Sequence, residues 1–213
     1  MLKKTIRKEV NKIVNENIET KYHAITHTTS NQSSTALVTN LCVIPQGVND
    51  FSRIGDEIKL SKLRLRFKLD ADSNDVFNNF RILVFQWNAD NTVDTINGPE
   101  MDKILNGYVD GATTSVVANS NMIARYEYDN LRAGKYTILY DKHHLVNTEN
   151  KQSKVFNLEF SLYNDLRVKK KVSYKQSFAN DATNALYLCV FSDSVVLTHP
   201  QLTYSSILTF KDA

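Results

Sequence analysis

The sequence predicts an all-β protein: an eight-stranded jelly-roll β-sandwich that follows an N-terminal amphipathic basic helix. Three observations support this prediction. From residue 35 onward, apolar residues recur mainly with a period of two, as in strands. Polar connections of uneven length separate about eight such segments, without the regular strand–helix alternation of an α/β fold. Residues 2–19 instead show apolar residues at helical spacing.

The helix predicted over residues 2–19 has an apolar side and a basic side. The apolar residues are Leu2, Ile6, Val10, Ile13, Val14 and Ile18. The basic residues are Lys3, Lys4, Arg7, Lys8 and Lys12. With Glu9 they give residues 1–12 a net charge of +4, against +3 for the whole chain, so the remaining 201 residues carry −1. A basic tail on a nearly neutral body favours contact with a polyanion, and we predict that these five residues bind nucleic acid.

The apolar side of this helix has three possible partners. It can pack on the body of the protein, bundle with the helices of neighbouring copies, or lie on a membrane surface. Bundling is our preferred interpretation. After the helix, residues 26–34 are rich in Thr, Ser and Asn without apolar spacing, which is typical of a linker. The predicted organisation is a basic helical arm (1–21), a linker (22–34) and a jelly-roll shell domain (35–213).

The strand predictions follow from the alternation of apolar and polar residues. The predicted strands are 35–44, 57–69, 80–87, 135–146, 155–163, 167–175, 185–191 and 202–210. In residues 57–69 the parity of the apolar positions changes near Ser61-Lys62, which predicts a β-bulge. Residues 80–87 are more continuously apolar, which predicts a central strand. A short helix is predicted within 97–107, where Pro99 lies near the start, and residues 108–133 show no clear pattern.

Several classes of protein are disfavoured. Cys42 and Cys189 lie in apolar runs, which predicts buried free thiols rather than a disulfide or a zinc site. No apolar run is long enough for a signal peptide or a membrane span, so we expect a protein made and kept in a reducing, aqueous compartment. No nucleophile, metalloprotease, phosphate-loop or dinucleotide motif is present, and His143 and His144 alternate on a strand and point apart. We therefore predict that the chain is not an enzyme.

A second set of basic residues lies on the predicted strands. Arg167, Lys169, Lys171 and Lys175 share one parity and would face one side of the strand at 167–175. Such a row forms either a nucleic-acid-binding patch or an ordinary solvated face, and we include Arg167, Lys169 and Lys171 among the predicted nucleic-acid contacts. The same two interpretations apply to the basic positions of the strand at 57–69, which are Lys59, Lys62, Arg64, Arg66 and Lys68.

The order of several segments resembles a known family. The segments are Pro45-Gln46-Gly47, Arg53-Ile54-Gly55-Asp56-Glu57-Ile58, Phe80-Arg81-Ile82-Leu83-Val84-Phe85, Thr137-Ile138-Leu139-Tyr140-Asp141 and the final Lys211-Asp212-Ala213, after the basic helix ending near Glu19-Thr20-Lys21. Together they resemble the coat proteins of satellite tobacco necrosis virus and the related coats predicted for small circular single-stranded DNA viruses. The resemblance covers most of the chain outside residues 88–134.

The resemblance implies a function. It implies a viral capsid protein that self-assembles into an icosahedral (T=1) shell of sixty identical subunits and packages a single-stranded RNA or DNA genome through its basic arm. The expected location is the virion, assembled in the cytoplasm or nucleus of the host cell. The host receptor stays open. The alternative is a non-viral β-sandwich module that binds a carbohydrate or a receptor.

The resemblance also implies calcium at subunit interfaces. In this sequence the matching positions are Asp212, the backbone carbonyl of Ile54, Glu57 and Glu19. Carboxylate and carbonyl oxygens from loops suit calcium. The other interpretation is that these carboxylates form salt bridges at an interface. No other cofactor is predicted.

Overall fold

A computed structural model describes residues 19–72, 76–88, 100–149, 152–175, 182–195 and 199–212. Within these residues the chain forms ten strands in two antiparallel sheets. The strands are β1 (Thr20–Asn31), β2 (Leu37–Asn40), β3 (Glu57–Asp70), β4 (Phe77–Trp87), β5 (Tyr136–Asn147), β6 (Ser153–Phe160), β7 (Lys171–Tyr174), β8 (Ala182–Thr183), β9 (Ala185–Ser192) and β10 (Gln201–Asp212).

The strand order confirms the predicted jelly-roll sandwich. The six-stranded sheet runs β1-β10-β3-β7-β8, with β6 paired to the other half of β3, and the four-stranded sheet runs β2-β9-β4-β5. The antiparallel pairs β1 with β10, β2 with β9, β3 with β6 and β4 with β5 are nested in sequence. The chain is thus one long folded-back ribbon whose pairs belong alternately to the two sheets, which is the jelly-roll connection.

Strand β3 divides into an inward apolar row and an outward polar row. The inward residues are Ile58, Leu60, Leu63, Leu65, Phe67 and Leu69, all of them buried. Thr209 pairs with Lys62 but Phe210 pairs with Leu60, so Ser61 is the extra residue of the predicted bulge. At this bulge β3 also changes its neighbour, from β6, which ends opposite Leu63, to β7, which begins opposite Lys59.

The two central strands of the four-stranded sheet, β4 and β9, are covered on both sides. Residues 81–87 of β4 are all buried, which explains the continuous apolar run seen in the sequence. One side packs against the six-stranded sheet, and the other lies under the segment 100–134, which we call the insert. The insert contains a 3₁₀ turn (Met101–Lys103) and the helices α1 (Ser115–Ile123) and α2 (Tyr128–Arg132).

A buried arginine attaches the insert to the sheet. Arg81 of β4 forms a bidentate ion pair with Asp141 of β5, with N–O distances of 2.7 and 3.0 Å. Its guanidinium also donates hydrogen bonds to the carbonyls of Asn121, Met122 and Ala124 at the end of α1. Burial alone raises the pKa of Asp141, but the hydrogen bonds and charge of Arg81 outweigh it and lower that pKa below its ordinary value.

The structure corrects the predicted linker. Residues 22–34 do not form a linker throughout, because β1 extends from Thr20 to Asn31 and pairs along β10. Thr20 and Lys21, which the sequence places in the helical arm, also belong to this strand. Pairing with β10 thus makes this Thr/Ser-rich segment a strand, although its own alternation of apolar and polar residues is weak. The rest of the predicted arm, residues 1–18, lies outside the described residues.

Other predicted elements differ in length. The strand predicted over 35–44 is confined to β2, and the strand predicted over 167–175 is confined to β7. Of the short helix predicted within 97–107, the described part forms only the 3₁₀ turn. Cys42 and Cys189 are buried free thiols, as predicted. Among the described residues, no helix has the length and apolar character to cross a membrane.

A buried histidine lies where β5 and β6, the edge strands on one side of the sandwich, approach each other. The ring of His144 stacks on Phe156 with 4.2 Å between ring centroids, and its Nε2 lies 2.9 Å from the hydroxyl of Tyr140. Its Nδ1 is buried and has no hydrogen-bond partner in the described part of the chain. Burial first, and then the charges of Lys154 and Lys142, lower the pKa of His144 to about 4.

Replacing Arg81 by Ala is expected to lower the free energy of unfolding by about 3 kcal/mol, because the largely buried carboxylate of Asp141 keeps only its hydrogen bond from Tyr126 and three carbonyls lose their donor. Chemical denaturation monitored by fluorescence measures this change. Arg132→Ala, at the exposed end of α2, is the control and should stay within about 0.5 kcal/mol of the wild type. Equal effects of the two substitutions would contradict the role of Arg81.

Acid is expected to destabilise the protein through His144. The unfolded chain binds a proton near the ordinary pKa of about 6.5, whereas the folded chain binds it only near 4, so stability falls as the pH falls between these values. The loss is at most about 3 kcal/mol, and nearby water reduces it. His144→Phe keeps the ring stacking and should remove this part of the loss. Denaturation curves between these two pH values, recorded for both proteins, test it, and parallel losses would exclude His144 as the cause.

Candidate nucleic-acid interface

The outward side of β3 carries a row of basic side chains. Because side chains alternate across a strand, burial of the apolar row places the intervening residues on the opposite side. These residues are Lys59, Lys62, Arg64, Arg66 and Lys68, and Lys59, Arg64, Arg66 and Lys68 are exposed, with Lys62 partly so. The bulge at Ser61 keeps all five on one side although the parity changes there.

Neighbouring strands extend this row into a surface that we call the basic face. It is the outward side of the six-stranded sheet. On either side of Lys59, its cross-strand partners Lys171 on β7 and Lys211 on β10 add two further basic residues. The acidic residues with outward parity are Glu57, Asp70 and Glu159. Seven basic residues against three acidic ones give strands β3, β6, β7 and β10 a net outward charge of +4.

Carboxylates neutralise part of the basic face. Glu159 on β6 pairs with both Lys62 and Arg64, and the hydrogen bond from Lys62 is the main cause that lowers the pKa of Glu159. Lys68 pairs with Asp70 at 2.9 Å, and Lys171 pairs with Glu57. These pairs are exposed, and exposed pairs contribute little to stability, so their cations can exchange a carboxylate for another anion at small cost.

The structure separates the basic residues predicted on 167–175. Only Lys171 lies on β7 and on the basic face. Arg167 lies in the preceding loop, where it forms an ion pair with Asp165 at 2.7 Å and reaches the carbonyl of Ile138 on β5. The backbone amide of Lys169 donates to the side chain of Gln86, and its own side chain is exposed. The prediction that these residues share one strand face is therefore wrong.

The N-terminal segment joins the described chain at one end of the basic face. Strand β1 begins at Thr20, which pairs with Lys211, and Lys211 pairs with Lys59 on the next strand. The predicted nucleic-acid contacts of the arm lie outside the described residues; they are Lys3, Lys4, Arg7, Lys8 and Lys12. Their connection nevertheless starts on the sheet that carries the basic face.

A groove crosses the basic face above β1, β10, β3 and β6. Its volume is about 290 Å³. The residues that line it from the outward side are Thr26, Arg66, Lys68, Val155, Thr203 and Ser205. Sequence reasoning missed the hydroxyl residues, because the segment of β1 resembles a linker and the pattern of β10 indicates only its apolar row.

The predicted calcium ligands do not form a metal site within one chain. The carboxylate of Asp212 accepts a hydrogen bond from the backbone amide of Ile54 and pairs with the buried ammonium of Lys21, each at 3.0 Å. The carbonyl of Ile54 accepts a hydrogen bond from Gln46, and Glu57 is paired with Lys171. Glu19 is exposed at the start of the described chain.

The donor set of a single chain therefore does not fit calcium. Lys21 already supplies the positive charge beside Asp212, and within the described ranges no three His, Cys, Asp or Glu side chains converge. A calcium site completed by a second subunit stays a prediction.

Replacing Glu159 by Gln is expected to strengthen binding of a single-stranded oligonucleotide a few-fold, because it releases Lys62 and Arg64 to bind phosphate. The salt dependence should steepen by about 0.7 in log K against log salt for each additional phosphate that these cations neutralise. Fluorescence anisotropy across a salt series measures both quantities. Glu100→Gln removes a carboxylate that is also paired with a lysine, but on the insert, and should change neither. If Glu159→Gln binds the oligonucleotide with the affinity of the wild type, the oligonucleotide does not contact Lys62 and Arg64.

Comparisons with known proteins identify no family. No family model and no curated protein matches the chain. Similar solved structures include those of Desmodium yellow mottle tymovirus (10% identity, TM-score 0.40, 92% of this chain and 87% of that chain), the empty head of turnip yellow mosaic virus (6%, 0.39, 92% and 82%) and turnip yellow mosaic virus (7%, 0.38, 92% and 95%). At these TM-scores the similarity carries no argument about function.

Proposed function

We propose that the chain is a viral capsid protein that assembles with copies of itself into a T=1 shell of sixty subunits. In this proposal it packages a single-stranded RNA or DNA genome and is part of the virion. Its role is structural rather than catalytic. The jelly-roll sandwich supports the proposal because it is an architecture of viral capsid domains, although lectins and cupins share it.

The observation that carries the proposal is the asymmetry of the sandwich. The outer side of the central strands β4 and β9 is buried under the insert, which Arg81 attaches, whereas no described residue covers the basic face of the other sheet. The basic N-terminal residues join the chain at that same sheet. Such a molecule has one cationic side, and a closed shell built from it can direct sixty cationic sides toward one polyanion.

Several large apolar side chains are exposed in the connections between strands and on the insert. Val48 in the β2–β3 connection is 90% exposed, and Leu166 in the β6–β7 connection is 93% exposed. On the insert, Val116 and Ile123 of α1 are 77% and 79% exposed. Exposed apolar residues that are scattered singly are normal on protein surfaces, so these positions do not locate the contacts between copies.

The alternative is a β-sandwich module that binds a carbohydrate or a receptor. Such a site requires a concave surface with a few convergent polar groups. The groove on the basic face is concave, but it lies along a row of cations on β3, and such a row matches an extended polyanion better than a small neutral ligand. The capsid is therefore the proposed function, and the experiment below must exclude the binding module.

Electron microscopy of the purified full-length protein is the test. We expect uniform closed shells whose 260/280 nm absorbance ratio shows copurified nucleic acid. Deletion of residues 2–18 removes five of the twelve basic residues of the arm and the basic face and should reduce the packaged nucleic acid by roughly 40% while shells still form, because each basic residue lost removes a phosphate contact. A control that changes Lys3, Lys4, Arg7, Lys8 and Lys12 to Gln keeps the length and should show the same loss.

Two results would contradict the proposal. Small monodisperse species at every ionic strength would favour the binding module. Shells that package equal amounts of nucleic acid with and without the five basic residues would remove the arm from the packaging role.

A further inference from the structure

The five basic residues of β3 are not equivalent. Within the described part of the chain, Lys59, Lys62, Arg64 and Lys68 each have an interaction partner. Arg66 lies between Arg64 and Lys68 on the same side and is exposed, and no described residue forms an ion pair or a hydrogen bond with its guanidinium. Its cross-strand neighbours are Ser205 on β10 and Asn157 on β6, neither of which is charged.

The exposed surface of the groove beside Arg66 is mostly apolar, and polar atoms form only a small part of it. The groove of about 290 Å³ places Arg66 with the hydroxyl residues Thr26, Thr203 and Ser205. Lys68 lines the same groove, and Val155, which lies opposite Lys68 and is 56% exposed, adds an apolar wall. Guanidinium and hydroxyl groups are common donors to phosphate oxygens, and an apolar wall suits the carbon atoms of a sugar.

We propose that this groove binds one nucleotide unit of a single-stranded nucleic acid, with Arg66 as the bidentate anchor of the phosphate, the apolar wall against the sugar, and the hydroxyl groups of Thr26 and Ser205 as additional donors. This inference rests on the proposed function and specifies where on the basic face the genome is held. Lys68 supplies a second cation, because its exposed pair with Asp70 can open at little cost. A guanidinium without a carboxylate partner does not have to exchange one anion for another, so it binds phosphate more strongly than its neighbours do.

A site at Arg66 and a uniform basic face predict different effects for substitutions at Arg64 and at Arg66. If only the total charge of the basic face mattered, loss of Arg64 or of Arg66 would weaken binding equally. Arg64 shares Glu159 with Lys62, whereas Arg66 is available, so loss of Arg66 should have the larger effect. Arg64→Gln is therefore a control matched in residue type, strand and face.

The experiment measures binding of a fluorescent oligothymidylate to the full-length protein by anisotropy over a salt series. Arg66→Gln should weaken binding roughly tenfold and lower the slope of log K against log salt by about 0.7. Arg64→Gln should weaken oligothymidylate binding by less than about threefold, which is half of the Arg66→Gln effect on a logarithmic scale. Arg66→Lys keeps the charge but not the bidentate geometry and should fall between wild type and Arg66→Gln. Unchanged thermal midpoints would show that the variants are folded.

Two outcomes would overturn the inference. One is an equal loss for Arg64→Gln and Arg66→Gln, or no loss for Arg66→Gln. The other concerns inorganic phosphate, followed by phosphorus NMR: if Arg66→Gln abolishes its binding but leaves oligothymidylate binding unchanged, the groove takes free anions and not nucleic acid.

The inference and the proposed function can fail separately. If the wild type forms no shells but Arg66→Gln still selectively weakens oligonucleotide binding, the groove stands and the capsid function fails. If shells form and the Arg66→Gln particles package as much nucleic acid as the wild type, the capsid function stands and the role of the groove fails.

Discussion

The register of β3 between β10 and β6 is the constraint on which the rest of the structure depends. Because side chains on a strand alternate between two faces, a slip by one residue would exchange the apolar row with the basic row. Six buried apolar residues each contribute about 1.5–3 kcal/mol by burial, so the core holds this register firmly. The cations on the other side are then aligned as a consequence of core packing. The bulge at Ser61 preserves this alignment where β3 changes its partner from β6 to β7.

The two sheets of the sandwich differ in what lies on their outer sides. The central strands of the four-stranded sheet, β4 and β9, are buried on both sides and require a cover, which the insert supplies through Arg81 and Asp141. The six-stranded sheet is apolar on one side only, so it can face a polar or charged partner. The difference between a covered sheet and an exposed basic sheet, which we relate to packaging, therefore follows from the strands themselves: some are apolar on both sides and others on one side only.

Much of the fold was predictable because it depends on local alternation. The lengths of β3, β4, β5 and β9, and the bulge at Ser61, follow from the sequence within a few residues. Strand β1 was not predictable, since its residues are weakly patterned and it exists through pairing with β10, which is distant in the chain. The insert was also missed, because α1 and α2 are short helices held by tertiary contacts. One signal was present: Arg81 is a charged residue within an apolar strand, and such a residue requires a buried partner.

The candidate site was predictable in part for the same reason. The basic row of β3 follows from the alternation of its residues. The row expected on 167–175 is wrong, because Arg167 lies in a loop, where it pairs with Asp165, and the strand begins only at Lys171. Neither the availability of Arg66 nor the hydroxyl groups beside it can be inferred without knowing which strands are neighbours. Local pattern therefore identified the charges, and tertiary pairing determined which of them are neutralised.

The central claim is that the basic face of the six-stranded sheet is directed at a packaged polyanion. A cryo-electron microscopy reconstruction of assembled particles tests it most directly. We expect a closed shell in which the outward residues of β3 line the interior, with nucleic-acid density against Arg66. A shell in which that sheet faces the exterior, or in which β3 is buried between subunits away from any such density, would contradict the account.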